Sequence, residues 1–319
     1  MKINERIDKL TLLQTLIRIV EGGSLSEAAR QLSTSQATVS RRLQNLEQLL
    51  GVPLLMRNTH AIRLTDEGTR CYRHARGLLS GWTELEDALM RGSDTPVGRL
   101  RVRAPHAFGQ DQLMTPLVDY LRRWPEVNVE WMLSDRVADF NAEHIDCAIL
   151  IGNQPDPATI AVHLAEVPRI LVAAPELAAR LDDYNALEQI EKLPWVSIST
   201  FYRNHLTLHN TRQSERQHRL EMEPRLYSDS LYATRQAILQ GIGIGLVSSW
   251  IVTADLAAGR LVHLAPDWRA EPLAVRLVYP YAPYYPARLT QFLAMMREVM
   301  PGIAGMSPPP VTDKTTREI

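Results

Sequence analysis

The stretch that decides the fold is Ser24-Leu25-Ser26-Glu27-Ala28-Ala29-Arg30-Gln31-Leu32, then Ser33-Thr34-Ser35, then Gln36-Ala37-Thr38-Val39-Ser40-Arg41-Arg42-Leu43. Ser24 and Glu27 have the spacing of a capping box, in which each side chain serves an orphan backbone donor at a helix start. The helix they open is short, Leu25 to Leu32, with Ala28 and Ala29 small enough to let a neighbour approach. Ser33-Thr34-Ser35 forms a turn and a second N-cap. A longer helix follows from Gln36 to Leu50, burying Val39, Leu43, Leu46 and Leu50, and Gly51 ends it. Two helices joined this way form a helix-turn-helix, whose second helix fits a DNA major groove.

Working outward, Asp8 to Val20 reads as an amphipathic helix stopped by Gly22-Gly23. Downstream, Leu54-Leu55 and Ile62-Arg63-Leu64 read as two short strands around a polar turn, which makes a wing. The groups expected to meet DNA are Ser35, Gln36, Ala37, Thr38, Ser40, Arg41 and Arg42 on the recognition helix, with Arg57, Asn58 and Arg63 on the wing. Gln36 can bond an adenine edge in bidentate fashion, and Arg41 can reach a guanine or a phosphate. Thr65-Asp66-Glu67 opens a helix to Met90, with its acids in the favourable first turn. That helix carries Tyr72, Ala75, Leu78, Leu79, Trp82, Leu85 and Leu89, a longer apolar stripe than a solvated connector needs, so a partner helix is expected.

The charge distribution agrees. From Met1 to Thr65 there are nine Lys and Arg against five Asp and Glu, so this segment is near +4 and the remainder of the -1 chain is near -5. Such asymmetry points to a polyanion partner. With 319 residues the chain exceeds one compact core, and 45% hydrophobic with 22% charged residues argues against disorder. Cys71 and Cys147 are the only cysteines, too few for a disulfide framework or a thiolate zinc site. No histidine pair has metal-ligand spacing, and no metal or cofactor is expected. MKINERIDKL lacks the apolar core of a secretion signal and no stretch is apolar enough to span a bilayer, so a cytoplasmic protein without membrane contact is expected.

Arg91 to Gly98 is a plain linker, after which strands and helices alternate: a strand at Leu100–Arg103, a helix at Gln112–Trp124, strands at Val127–Leu133, Cys147–Ile151, Ile170–Ala174, Val196–Ser199, Leu226-Tyr227 and Gly243–Val247. The pattern predicts an α/β domain with largely parallel sheets in two subdomains. Residues after Pro301 read as a flexible tail. Gly241-Ile242-Gly243-Ile244-Gly245 lacks the dinucleotide spacing and reads as a helix-to-strand turn.

Ala28 to Leu32, Ser35 to Leu43, Leu49 to Leu55 and Leu64 to Gly68 together resemble the LysR-type transcriptional regulators, and the resemblance continues through Arg101 to Pro105, Phe108-Gly109, Tyr120 to Pro125, Asp146 to Gly152 and Gly241 to Gly245. The resemblance implies a winged helix-turn-helix at 1–65, a dimerisation helix at 66–90, a hinge at 91–98, and a two-lobed effector domain at 99–302 like a periplasmic binding protein. Its first lobe would take about 99–165 with 280–302, its second 166–279, and 303–319 would be tail. It also implies double-stranded promoter DNA, a small-molecule effector, RNA polymerase and further copies of the chain, as dimer or tetramer, for partners. Thr38, Leu55, His60-Ala61, Arg103 and Leu150 depart from the family pattern.

Ligands in α/β sheets sit where strand ends meet helix N-termini. That nominates Arg103, Ala104, Pro105, His106 and Phe108, with Ser199, Thr200, Phe201, Ser228 and Asp229, for the effector. Arg103 is expected to hold a carboxylate, the alternative being that it points outward beside Arg101. An enzyme would need a nucleophile elbow, metal pair or phosphate loop, none of which is legible.

Overall fold

The first helix, α1 (Lys9–Gly22), starts where the Asp8 carboxylate accepts the Leu10 N–H at 3.1 Å and stops at Gly23, whose φ of 66° suits a residue without Cβ. The structure, a computed structural model, describes residues 8–56, 62–90, 95–152, 155–199, 204–213 and 215–309. In α2 (Leu25–Gln31) the Ser24 hydroxyl accepts the Glu27 N–H at 3.0 Å. The Glu27 carboxylate turns instead to Arg30 and Gln31, so only one half of the expected capping box forms. The third helix, α3 (Gln36–Leu50), is capped by Ser35 and terminated by Gly51. Leu12, Leu16, Ile19, Ala28, Ala29, Val39, Leu43, Leu46 and Leu54 form the core of this unit, each full-length aliphatic contributing about 2 kcal/mol by leaving water. Leu50 is not in it; the C-terminal end of α3 turns that residue out, 46% exposed.

Among the described residues, the two strands expected for the wing are reduced to one bridge. Leu55 and Leu64 make a single antiparallel bridge, and the Met56 N–H donates to the Arg63 carbonyl at 2.8 Å. Arg57, Asn58, Thr59, His60 and Ala61 lie outside the described residues. α4 (Asp66–Met90) follows.

The chain divides into two compact units. One ends at Thr95 and takes in Asp139–His144; the other starts at Pro96, runs to Ala138 and resumes at Ile145. In chain order the remaining elements are β1 (Gly98–Ala104), α5 (His106–Gln110), α6 (Met114–Arg123), β2 (Val127–Leu133), α7 (Phe140–Glu143), β3 (Cys147–Ile151) and β4 (Thr159–Val167). Next come β5 (Arg169–Ala173), α8 (Pro175–Ala178), α9 (Leu187–Glu191), β6 (Trp195–Ile198), β7 (His205–Asn210), β8 (Gln217–Glu221), β9 (Pro224–Ser228) and α10 (Leu231–Leu239). Last are β10 (Gly245–Ser248), α11 (Ser249–Ala257), β11 (Val262–Leu264), β12 (Trp268–Ala270), β13 (Leu273–Pro280) and α12 (Ala287–Val299).

The second unit has two lobes. The first is built on a five-stranded sheet, β2-β1-β3-β13-β4, around Leu100, Val102, Ile149, Leu277 and Phe292. The second holds three small sheets, β10-β5-β11, β12-β7-β8 and β6-β9, around Leu171, Trp195, Leu208, Leu220 and Ile244. The expectation of largely parallel sheets is corrected: β1 with β2, β1 with β3, and β6 with β9 run parallel, as does an isolated bridge between Trp195 and Ile244, but the other strand pairs among the described residues are antiparallel. The chain crosses between lobes through Pro168 and returns through Pro272, so β13 re-enters the first sheet antiparallel to both β3 and β4. The close connection of β7 to β8 likewise dictates an antiparallel pair.

Three further expectations change. The helix expected at Gln112–Trp124 forms as α6, Met114–Arg123, but a separate short helix that was not expected, α5, precedes it at His106–Gln110. The return to the first lobe comes at Leu273, since all of β13 belongs to that lobe's sheet. The described part of the segment after Pro301 is packed on the lobe and is not a tail: Ile303 and Met306 pack on the core, and Ser307 exchanges two 2.9 Å backbone hydrogen bonds with Glu166 of β4. Pro308 and Pro309 then lack the N–H that a continued ladder needs.

A candidate nucleic-acid interface and a cavity between two lobes

On α3, the faces not taken by Val39, Leu43 and Leu46 leave Gln36, Ala37, Arg41 and Gln44 exposed. Ser35 and Thr38 are engaged with each other, the serine hydroxyl lying 3.2 Å from the Thr38 nitrogen and 2.9 Å from its hydroxyl. Ser40 and Arg42 are half-buried. The Asp8 carboxyl is held below its usual range by the Thr11 hydroxyl first, against a push from burial, then by backbone donors and by the charge of Arg42. Arg42 therefore also serves the start of α1, while Arg41 stands in solvent. Arg63 is exposed at the base of the wing.

Two positions assigned no individual role from the sequence, Glu47 and Gly68, build this surface. The Glu47 carboxylate accepts from the Leu54 N–H at 2.7 Å and the Leu55 N–H at 3.3 Å, tying α3 to the wing. A Cβ on Gly68 would sit 2.0 Å from the Leu54 carbonyl oxygen, so only glycine lets α4 start this close to the wing. Thr65 completes the corner, donating to the Pro53 carbonyl at 2.8 Å and accepting the Gly68 N–H at 2.9 Å. The signal for Glu47 was present: an acid on the inner half of a recognition helix needs a donor.

Between the lobes of the second unit lies a cavity of about 570 Å³, a size suited to a small metabolite. Phe108 of α5, Leu150 of β3 and Ile198 of β6 are among its apolar lining, with Trp250 of α11. Its polar lining comes from His106, Ser134, Asp135, Arg136, Arg169, Asp229, Ser230 and Ser248. Both α10 and α11 begin in the wall. Ser230 caps α10 by accepting from Ala233, whereas no side chain caps α11. Asp135 accepts the His106 N–H at 3.1 Å. The lobes touch around it: the rings of Phe108 and Trp250 meet edge-on at 5.9 Å, and the Tyr232 hydroxyl donates to Asp111 at 3.2 Å. Burial, and then the Asp111 charge, push the Tyr232 phenol up.

Of the residues nominated from the sequence, Pro105, His106, Phe108 and Asp229 are in this wall. Arg103 and Ala104 are not. Arg103 is 8% exposed within the sheet, with its Nη1 donating to the Val137 carbonyl at 3.3 Å, so it neither reaches the cavity nor points into solvent. Arg101 is committed as well, to Glu130 at 2.7 Å. Ser199 donates its N–H to the Ser228 carbonyl at 2.8 Å, and neither residue is in the wall. Thr200 and Phe201 lie outside the described residues. Among the described residues no cluster of His, Cys, Asp and Glu is arranged to hold a metal, and no helix is long and apolar enough to cross a membrane.

Comparison with known proteins matches residues 10–69 to the profile "Bacterial regulatory helix-turn-helix protein, lysR family" and residues 93–301 to "LysR substrate binding domain". The chain is 31% identical over 299 residues to the HTH-type transcriptional regulator PtxR of Pseudomonas aeruginosa, covering 92% of this chain and 94% of that one. It is 30% identical over 256 residues to the HTH-type transcriptional activator TtdR of Escherichia coli, covering 80% and 82%. In fold it is similar to the full-length Vibrio cholerae virulence activator AphB, with TM-score 0.60 at 24% identity over 91% and 98% of the two chains. A full-length OxyR variant from Pseudomonas aeruginosa gives TM-score 0.64 at 17% identity over 97% and 100%.

Proposed function

Since the chain belongs to the LysR family of bacterial DNA-binding transcription regulators, which carry an effector-binding domain, we propose that its cavity takes a small carboxylate-bearing metabolite and that occupancy alters how the helix-turn-helix acts at a promoter. One observation carries the reading: two nine-residue helices, α10 and α11, start in the wall of an otherwise largely apolar cavity that also contains Arg136 and Arg169. Helix starts and guanidinium groups both favour a carboxylate over a neutral isostere, and the apolar lining favours a hydrocarbon body.

At the DNA, Gln36 and Arg41 read or clamp the major groove and Arg57, Asn58 and Arg63 hold the backbone beside it. The exposed stripe Leu78, Trp82 and Leu85 on α4 pairs with a second copy, which places two recognition helices on two half-sites. Contact with RNA polymerase passes the ligand's effect to transcription.

Thermal unfolding of the full chain against small carboxylic acids and their primary amides tests the ligand class. Binding raises the midpoint according to occupancy. The expected result is stabilisation by one or more acids but not the matching amides, lost in Arg136→Ala. Amides that stabilise as well as acids would remove the carboxylate from the reading.

A further inference from the structure

Trp250 has a second face. Its ring reaches the cavity and the Phe108 ring, while its backbone is backed by the C-terminal segment Ile303–Ser307. Gly305 has φ +80°, and a Cβ built there would lie 2.7 Å from the Trp250 Cβ, 2.9 Å from its Cα and 3.1 Å from its nitrogen. Those atoms belong to the first turn of α11 and have no rotamer to escape into, so any side chain at 305 must push that turn. The Ser249 hydroxyl donates to the Gly305 carbonyl at 3.3 Å, and Ser307 is fastened to β4 by its two bonds to Glu166. The segment is thus a strap, anchored on the first lobe, that bears on the residue through which α11 meets the cavity.

We propose that Gly305 is a positioning residue for ligand binding, setting through the strap Ile303–Ser307 how far Trp250 enters the cavity. The inference rests on the reading of that cavity as the ligand site. Trp250 is 7% exposed and packed edge-on against Phe108, so a small displacement of its first helical turn alters the shape a ligand meets.

The test uses the full chain labelled with 5-fluorotryptophan, in which 19F NMR resolves Trp250 by its loss in Trp250→Phe. The probe is 8-anilinonaphthalene-1-sulfonate, an aromatic anion, and its affinity is read from the Trp250 resonance so that binding elsewhere does not count. Gly305→Ala is expected to shift the Trp250 resonance alone and to weaken the probe about tenfold, the scale of a small misfit in an apolar pocket. Ser307→Pro, which removes the N–H that donates to Glu166, should move both readouts in the same direction by less. It carries the test if Gly305→Ala does not fold. An unmoved Trp250 resonance overturns the proposal, as does a moved resonance with parental affinity, which would make the contact structural only. A parent whose Trp250 ignores the probe overturns the reading of the cavity itself, whatever the variants show.

Discussion

The Asp255 carboxylate, on α11 and fully buried, receives both ends of the Arg235 guanidinium from α10, at 2.6 and 2.8 Å, and Arg260 adds a third partner at 2.7 Å. The two helices that begin in the cavity wall are thereby locked to each other. Asp255→Ala leaves Arg235, whose side chain is only 25% exposed, without its counter-charge, and should cost about 3 kcal/mol in urea unfolding. Burial pushes the Asp255 carboxyl up, but the bonds and charges of Arg235 and Arg260 outweigh it and leave the group below its ordinary value of 3.8. Its contribution is therefore complete above about pH 4 and fades as pH falls through the lower folded value. The difference in stability between parent and Asp255→Asn should shrink along the same path; a difference that stays constant down to pH 2 would contradict the ion-pair account.

Glu47→Ala removes the acceptor of two wing N–H groups without touching the exposed face of α3. Unpaired donors of this kind cost about 1–3 kcal/mol. Thermal unfolding should show the loss, and gel shifts should show weaker operator binding with unchanged sequence preference. A changed preference would place Glu47 among the base contacts instead.

Gln36→Ala and Arg41→Ala keep the fold, because both side chains project from the exposed face of α3. Each should lower specific operator affinity by about 1–3 kcal/mol if it contacts a base. Should Arg41 hold a phosphate, its variant instead reduces the salt slope by about 1 and weakens all sequences alike. Parental affinity in both variants, across salt, would remove α3 from the interface.

Leu78, Trp82 and Leu85 are 60%, 46% and 49% exposed, one stripe at helical spacing along α4. Trp82→Glu is expected to halve the mass seen by light scattering and to abolish binding to an operator with two half-sites. An unchanged mass refutes the assignment of the dimer to this helix.

The helices of the first unit were legible because their limits are written in local chemistry: Ser35 and Gly51 bound α3 by capping alone. β13 was not, because Leu273 finds Val167 through a partner far away in sequence, which no local pattern encodes. Arg103 shows a subtler limit. Period-two alternation places Arg99, Arg101 and Arg103 on one face, but that face closes along the strand: Arg99 is exposed, Arg101 half-buried and Arg103 buried, a gradient that alternation does not encode. Phe108 and Asp229 follow or neighbour strand ends and so could be nominated from strand positions; Asp135 and Arg136, just past β2, and Trp250, just past β10, obey the same rule, which was not applied to those strands.

Leu273 and Val167 are direct partners on one ladder, and the two crossings beside them are both prolines, Pro168 and Pro272. The second lobe is thus an insertion whose two ends leave the first lobe side by side. Adjacent ends let a cassette be exchanged without stretching its host. Replacing residues 168–272 by the equivalent segment of a related chain is accordingly expected to leave the ladders of the first sheet unbroken. Such a graft must keep the core that the two lobes share, the contacts of Trp250 with Phe108 and of Tyr232 with Asp111, and a first turn of α11 that Gly305 can lie against.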